Sequence, residues 1–444
     1  MIKRTRVPEK LNNSAKNIIV LILGTLLSFL ALEAIVRFYP SAILLSYLEG
    51  RGTFKPSKWR ADIGEIAPPH QKGSRCANCF RIYPIYSNSL GFRGKDWNGN
   101  KGFRIAILGD SCLEGLEVEE GESTSVMLAK LLNKDIFNTA ISSSATFKQV
   151  AIYKKFLRPL KPNLVLLFFL PDNDILENSC ELTELLVGKN NMTNPCGYFS
   201  GNDIKIRTGS QRRLPPDGVI RKFIKDNCKS CIILNRVIFQ LAYKMLYKHN
   251  SIYNQVYLPV HTREWREAWL ITEKALSELR QEIENDGGKL VVFIIPAWAN
   301  TIRDAKELNS AIYNHFPEGF DLNHPIKVTK DLMAKHNIPF LSLMPYLLEY
   351  RDKFNLEFPY FSYRCDGHWN PLGHFIVSHI VAKYLVENGW VPFPAQDKDI
   401  LLKKIDNDLA LPPRKILGED AYRQIYKRGF YCGHSDAAKV LEQN

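Results

Sequence analysis

Residues 104–111 read Arg-Ile-Ala-Ile-Leu-Gly-Asp-Ser, a short apolar run that ends in a glycine, a carboxylate and a hydroxyl. An apolar run of this length with polar flanks is typical of a strand buried on both faces. Similar runs recur along the chain, and stretches with helical spacing alternate with them. The predicted strands cover 104–108, 135–138, 164–170, 289–297 and 339–343, and the predicted helices cover 123–132, 264–286 and 327–336. This alternation predicts an α/β fold, with a parallel sheet and helices on both faces.

Polar residues follow two of these strands. Ser111 comes just after the first predicted strand, and Asn173 comes just after the third. Ligands of open parallel sheets bind outside the carboxyl ends of the strands, where the strand order reverses. We therefore expect Ser111, Asn173 and the segment after the fifth strand to lie together.

A second informative stretch is 365–373, which reads Cys-Asp-Gly-His-Trp-Asn-Pro-Leu-Gly. Serine is a weak nucleophile at neutral pH, so an adjacent imidazole must take its proton as the new bond forms. A carboxylate then fixes the tautomer of the imidazole and stabilises the imidazolium. These residue types predict acyl-transfer chemistry, with Ser111 as nucleophile, His368 as base and Asp366 as the orienting carboxylate.

The N-terminal segment has the composition of a membrane anchor. Residues 18–36 are apolar except for four positions, which approaches the ~20 residues that a spanning helix needs. Five Lys or Arg residues and a single Glu precede this segment, which predicts a cytoplasmic N-terminus. A cleaved signal peptide is the alternative, but Leu-Ala-Leu-Glu-Ala at 30–34 is a poor cleavage site. We predict an uncleaved single-pass anchor.

The rest of the chain divides by composition. The predicted parts are a cytoplasmic N-terminus (1–16), the transmembrane anchor (17–38), a spacer (39–100), a hydrolase-type domain in two stretches (101–178 and 262–390), an insertion or lid (179–261) and a C-terminal extension (391–444). The insertion interrupts the alternation of strands and helices, and it contains a predicted apolar helix around 232–247.

The nine cysteines include two Cys-x-x-Cys pairs, Cys76/Cys79 and Cys228/Cys231. Four thiolates in two such pairs can hold a structural zinc. In an oxidising compartment disulfides are favoured, and their connectivity cannot be read from spacing. Beyond these pairs the sequence has no metal motif, and no cofactor is expected.

The formal net charge of +13 suits an anionic partner such as a polysaccharide or lipid headgroups. The basic residues are dispersed and accompany no nucleic-acid motif, so nucleic acid is not expected as a partner.

Several polar or aromatic residues near these motifs are predicted to serve the fold. Asp110 is expected to fix its turn, Asp174 to cap a helix, and His374 to be a satisfied helix residue. The Trp265/Trp269 pair, spaced i and i+4, is expected in the core.

The motifs resemble the four sequence blocks of SGNH (GDSL-type) hydrolases. The blocks match residues 107–111, 137–143, 171–174 and 366–368. This resemblance implies a three-layer α/β/α flavodoxin-like sandwich with a central five-stranded parallel sheet. It implies that Ser111 is the nucleophile and His368 the base. It also implies an oxyanion hole formed by the Ser111 N–H, the Ser143 N–H and the Asn173 amide.

Three positions depart from the family pattern. Ser143 and Pro171 stand where the family has glycine, and Cys365 stands where the family usually has the aspartate of the fourth block. Serine keeps a backbone N–H, so the hole is expected to survive if the φ of Ser143 is negative. A positive φ would strain a serine there. Proline cannot donate, but the donor that the chemistry needs in this block is Asn173.

Two further features resemble narrower groups within this superfamily. Asp366 lies two residues before His368, and Trp369 follows, as in the Asp-x-His-Trp pattern of alginate O-acetyltransferase relatives. The anchor with Glu33 and Arg37, followed by Asn-Ser-Leu-Gly-Phe-Arg-Gly at 88–94, is similar to a membrane-anchored bacterial subgroup. That similarity implies a bacterial inner-membrane protein with its catalytic domain in the periplasm or extracytoplasmic space.

Together these features predict a serine esterase or O-acyltransferase that forms an acyl-Ser111 intermediate. The expected substrates are O-acyl, chiefly acetyl, esters of a cell-surface or secreted glycan. One alternative is a lipid-ester hydrolase. The other is a catalytically inactive glycan-binding or assembly protein on the same fold, for which Ser143 and Pro171 are the main argument.

Overall fold

The computed structural model describes residues 13–38, 54, 58–77, 81–97, 102–189, 192–210, 228, 230, 231, 234, 252–302, 318–356, 360–363 and 367–427. The chain forms two compact units. One unit comprises Met1–Gly50 and Leu214–Lys244, and the other comprises Arg51–Arg213 and Met245–Asn444.

The described strands belong to the larger unit. They are β1 (Lys58–Arg60), β2 (Gly64–Ile66), β3 (Lys72–Ala77), β4 (Arg81–Tyr86), β5 (Ile105–Leu108), β6 (Ile136–Asn138), β7 (Leu164–Phe169), β8 (Cys196–Ser200), β9 (Asp203–Arg207), β10 (Lys289–Ile294) and β11 (Phe340–Ser342). The described α-helices are α1 (Asn13–Phe38), α2 (Ser111–Glu114), α3 (Thr124–Leu132), α4 (Thr146–Ile152), α5 (Pro171–Asn178), α6 (Cys180–Val187), α7 (Arg263–Asn285), α8 (His324–Lys335), α9 (Met344–Lys353), α10 (Pro371–Glu387), α11 (Ala395–Leu409), α12 (Pro413–Leu417) and α13 (Glu419–Tyr422).

Five strands form a parallel sheet in the order β11-β10-β7-β5-β6. In chain order this is the 2-1-3-4-5 arrangement of flavodoxin-like folds. The predicted α/β fold with a central five-stranded parallel sheet is therefore confirmed. The strand order reverses between β5 and β7, so the ligand-binding position of this topology lies beyond the carboxyl ends of these two strands.

The two faces of the sheet pack against different helices, because successive side chains of a strand point to opposite faces. Leu108 of β5 and Leu167 of β7 share one apolar cluster with Leu279 of α7. Ile107 and Leu166 share the other cluster with α10. All six residues of β7 are buried, as expected of a central parallel strand. Full burial of each such side chain contributes roughly 1.5–3 kcal/mol, which makes these strands a rigid base for the loops at their ends.

The predicted spacer and extension contain structure that composition did not indicate. Two antiparallel hairpins, β1–β2 and β3–β4, lie within 39–100. Tyr83 of β4 is 1% exposed and packs with Val118, and Arg75 pairs with Glu117 at 2.8 Å. In the C-terminal stretch, α11 packs on α10. Both regions therefore contribute to the larger unit.

The insertion includes α6 and an antiparallel hairpin of β8 and β9, and a Cys180–Cys196 disulfide joins α6 to β8. In the smaller unit, Cys228 and Cys231 form a disulfide, which agrees with the disulfide alternative for that pair. Cys79 of the other pair lies outside the described residues, as does the helix predicted over 232–247 apart from Leu234.

The N-terminal helix α1 is long and apolar enough to cross a membrane. Residues Lys16–Ile35 have a mean hydropathy of 2.6, and none of that window is buried in the protein. Near its C-terminal end, the carboxylate of Glu33 accepts hydrogen bonds from Ser230 N (2.7 Å) and Ser230 Oγ (2.6 Å).

Candidate active site

Ser111 is the first residue of α2, immediately beyond β5. Asp110 is the N-cap, and its Oδ1 accepts a hydrogen bond from Cys112 N at 2.9 Å. Gly115 ends this single turn with φ +67°, in the left-handed region that favours glycine. The strand therefore gives way directly to a tight turn that presents Ser111 at the carboxyl edge of the sheet. The predicted structural role of Asp110 is confirmed.

His368 lies in a short loop closed by backbone hydrogen bonds. Tyr363 N donates to His368 O at 2.7 Å, and Gly367 N donates to Tyr363 O at 3.0 Å. Gly367 has φ +76°, which explains the glycine between Asp366 and the histidine. Asp366 itself lies outside the described residues, so its orienting role stays a prediction.

The helix after His368 begins with a strong cap. Asn370 Oδ1 accepts from Gly373 N at 3.1 Å, and Asn370 Nδ2 donates to Tyr360 O at 3.0 Å. Pro371 occupies the first helical position, where its missing N–H costs nothing. The Asn-Pro-Leu-Gly segment at 370–373 thus forms the start of α10. Asn370 also anchors the loop that contains His368.

Asp110 links the elements that carry the three predicted site residues. Asn173 Nδ2 donates to Asp110 Oδ2 at 3.3 Å, which ties the amide to the residue that precedes Ser111. Burial raises the pKa of Asp110, and the Cys112 N–H, the nearby His368 imidazole and the Asn173 amide oppose this rise. The structure therefore brings together Ser111, Asn173 and His368. Ser111 Oγ makes no hydrogen bond to a described residue, so its bond to His368 stays a prediction.

Two backbone N–H groups at this edge are candidates for the predicted oxyanion hole. Neither the Ser111 N–H nor the Ser143 N–H donates to a residue in the described part of the chain. Uncommitted N–H groups beside a nucleophile can stabilise a developing oxyanion. Ser143 has φ +54°. The backbone of this serine is therefore strained, as predicted from the sequence for a positive φ.

Three residues that the sequence reasoning did not select surround the Ser142–Ser143 turn. Glu114 Oε2 accepts from Ser142 N at 2.7 Å and from Ser142 Oγ at 2.5 Å. Lys148 Nζ donates to Ser143 O at 3.2 Å, and Asn194 Nδ2 donates to the same oxygen at 2.9 Å. In the sequence Lys148 looks like one more solvated lysine on a helix, and no local pattern distinguishes it.

Two half-buried carboxyl groups lie in the same helix as Asn173. Burial, together with the nearby Asp110, raises the pKa of Asp172 to about 7. Burial also raises the pKa of Glu177 to about 7, against the attraction of Lys148. These groups are therefore partly protonated near neutral pH.

Two of the other predicted structural roles are confirmed and one is wrong. Asp174 does not cap a following helix, because it lies inside α5, whose N-cap is Leu170, and its Oδ2 accepts from Leu170 N at 2.8 Å. His374 Nδ1 accepts from Thr124 N at 3.2 Å, and its ring is buried. Trp265 and Trp269 are core residues at 1% and 9% exposure. Within the described ranges, no group of three or more His, Cys, Asp or Glu side chains is arranged to hold a metal ion.

No family model matches the chain, and no curated protein matches it. Among solved structures, an acetyl xylan esterase is 11% identical with a TM-score of 0.34, over 64% of this chain and 99% of that chain. A two-domain esterase active on acetylated mannans is 11% identical with a TM-score of 0.33, over 66% and 52%. A lipase/acylhydrolase from Enterococcus faecalis is 12% identical with a TM-score of 0.32, over 64% and 95%. At these identities and TM-scores, none of the likenesses assigns an activity to this chain.

Proposed function

We propose that this chain is a membrane-anchored, extracytoplasmic serine hydrolase of the SGNH type that acts on ester bonds. One observation supports this most directly. Ser111 and Asn173 follow β5 and β7, the two strands at which the sheet order reverses, and the imidazole of His368 is near the carboxyl of Asp110. A nucleophile, a base and oxyanion donors at this position form the minimal set for acyl transfer.

The proposed reaction has two halves. Ser111 Oγ attacks the acyl carbonyl while His368 takes the hydroxyl proton. The N–H groups of Ser111 and Ser143 and the Asn173 amide bind the oxyanion. The tetrahedral intermediate then expels the alcohol, to which His368 returns the proton. In the second half, water or a sugar hydroxyl loses a proton to His368, attacks the acyl-Ser111 ester and regenerates the serine. Asp366 is proposed to orient the imidazole throughout.

The proposed substrates are O-acyl, chiefly acetyl, esters of a cell-surface or secreted glycan. The Asp366-x-His368-Trp369 resemblance and the dispersed positive charge, which suits an anionic glycan, support this choice. Helix α1 would hold the domain at the membrane surface, where such a glycan passes or accumulates. A lipid ester is the alternative that the anchor favours.

A fluorophosphonate probe tests the reactive serine directly. We expect the full-length protein in detergent micelles to be labelled covalently, Ser111→Ala not at all, and His368→Ala at least about 10³-fold more slowly. Ser200→Ala, in the hairpin strand β8, is the matched control and should be labelled like the wild type. Absence of labelling in wild-type protein with native circular dichroism would overturn the enzyme and leave the glycan-binding alternative.

A second experiment separates the two fates of the acyl-enzyme. In protein that has not been treated with the probe, Ser111 would be loaded with acetate from an activated ester, with and without a deacetylated acidic polysaccharide. Acetate appearing on the polysaccharide identifies a transferase, and free acetate at an unchanged rate identifies an esterase. Preference for long-chain acyl esters with neither glycan dependence nor glycan deacetylation would favour the lipid-ester alternative.

A further inference from the structure

The Ser142–Ser143 turn is held from both sides. On one side, Glu114 of α2 accepts from the N–H and the hydroxyl of Ser142, which ties the turn to the helix that begins with Ser111. On the other side, the Ser143 carbonyl receives Lys148 Nζ and Asn194 Nδ2. Ser143 has φ +54°, a conformation that serine seldom adopts without support from its surroundings.

Lys148 also determines the direction of the Ser143 N–H. Its Nζ lies 3.4 Å from Ser142 O, the carbonyl that shares a peptide plane with the N–H of Ser143. In a trans peptide the C=O and the N–H point in opposite directions. A lysine that holds the Ser142 carbonyl on its own side therefore turns the Ser143 N–H to the other side, away from the interior.

Asn194 connects the turn to the insertion. Its Oδ1 accepts from Lys148 Nζ at 3.3 Å while its Nδ2 donates to Ser143 O. Gly64 of β2 allows this approach, because a Cβ at Gly64 would lie 2.2 Å from Asn194 Oδ1. The Cys180–Cys196 disulfide closes the segment that carries Asn194. Several parts of the fold thus converge on one amide and one ammonium group.

The charge of Lys148 fits this role. The side chain is 1% exposed, and its three hydrogen-bond contacts equal the number of protons on an ammonium group. Burial lowers the pKa of Lys148 to about 8, while the carboxylates of Glu177, Glu114 and Glu65 favour the charged form. A buried lysine whose donors all point to backbone and amide oxygens is well fixed in position.

We propose that Lys148 and Asn194 are positioning residues that aim the Ser143 N–H into the oxyanion hole. This inference rests on the proposed acyl-transfer function. Neither side chain touches the substrate. Both act through the turn, and they compensate for the serine that replaces the usual glycine at 143. Since the oxyanion exists only in the transition state, loss of either residue should lower kcat and leave KM nearly unchanged.

The test compares Lys148→Met and Asn194→Ala with wild-type protein, using hydrolysis of an activated acetyl ester by the full-length chain in micelles. Removal of a single oxyanion donor lowers kcat by about 10²–10³-fold. We expect a misdirected donor to lower kcat by about 10–100-fold in Lys148→Met and about 5–10-fold in Asn194→Ala, with KM within about twofold. Lys154→Met, which removes a lysine of an exposed ion pair, is the matched control and should match wild type.

Ser143→Gly supplies a rescue test. Glycine adopts a positive φ freely, so the turn should depend less on the hydrogen bonds from Lys148 and Asn194. Adding Ser143→Gly to Asn194→Ala should restore most of the lost kcat, which a purely structural role of Asn194 does not predict.

The outcomes separate the two proposals. If wild-type protein is inactive and unlabelled, the proposed function fails. If wild-type protein is active and Asn194→Ala retains wild-type kcat in folded protein, the positioning role fails while the function stands. Asn194 is only partly buried, so this variant gives an answer even if Lys148→Met does not fold.

Discussion

His374 is a buried imidazole that the structure keeps neutral. Its Nδ1 accepts a hydrogen bond from the Thr124 N–H, which requires that nitrogen to carry no proton. Burial, together with the nearby Arg93 and His368, lowers the pKa of His374 to about 3. Thr124 and His374 are 250 positions apart, so this ring joins the start of α3 to the start of α10. This side chain therefore adds a polar link to the apolar packing between two helices on the same side of the sheet.

This arrangement predicts acid sensitivity. The unfolded chain protonates His374 near its ordinary pKa of 6.5, whereas the folded chain does not until about pH 3. The contribution of the neutral His374 ring to the free energy of unfolding is thus complete above pH 6.5. It is lost progressively as the pH falls from 6.5 towards 3. At pH 4.5 the loss amounts to roughly 2–3 kcal/mol. Urea unfolding at pH 7 and pH 4.5 measures this change in the free energy of unfolding.

His374→Asn is the comparison, because its amide oxygen can accept from Thr124 without titrating. Its free energy of unfolding should change less between the two pH values than that of wild type. An equal change in both proteins would show that other groups cause the acid sensitivity.

At the scale of elements, residues 370–373 at the start of α10 fix the position of His368. Asn370 caps the helix, and Gly373 lets its first turn pass close to the preceding loop. A Cβ at Gly373 would lie 2.4 Å from Phe361 O, a backbone atom, and 3.2 Å from the Trp369 Cβ. A side chain at 373 therefore cannot be accommodated unless the backbone that leads to His368 moves.

Gly373→Ala should accordingly destabilise the protein by about 1–3 kcal/mol. It should also reduce fluorophosphonate labelling, because the shift displaces the base. Gly121→Ala is the control, since a Cβ there meets nothing within 4 Å. Thermal unfolding and labelling rates of the two variants check this, and wild-type behaviour of Gly373→Ala would contradict the packing argument.

The sequence predicted the strands of the central sheet well, because buried parallel strands such as β7 are nearly continuous apolar runs. It predicted the positions of Ser111 and Asn173 for the same reason, since polar residues that follow such runs stand out. It could not predict Lys148, Asn194 or Glu114. Their roles depend on contacts between residues as far apart as 51 positions, and nothing in their local sequence marks them. Hairpins β1–β2 and β3–β4 were missed because short strands rich in charge and proline have little apolar periodicity.

At the scale of the whole molecule, the membrane is the main external constraint. Helix α1 has the length and hydropathy for one crossing. If it is an uncleaved anchor, the full chain should stay with bacterial membranes after an alkaline carbonate wash, and a chain that lacks 1–38 should be released. Immunoblots of the two fractions measure this. Release of the full-length chain, or a mature N-terminus near residue 38, would contradict the anchor.

The proposed base lies late in the chain. Ser111, Ser143 and Asn173 all precede the insertion, whereas His368 follows it and depends on α10 for its position. A nascent chain can therefore form β5, β6 and β7 and display its serine long before the base is synthesised. Until then the proposed site is inert, and we expect reactivity to begin only when α10 packs on α3. This order of assembly would keep the proposed site unreactive until the segment that carries His368 has folded.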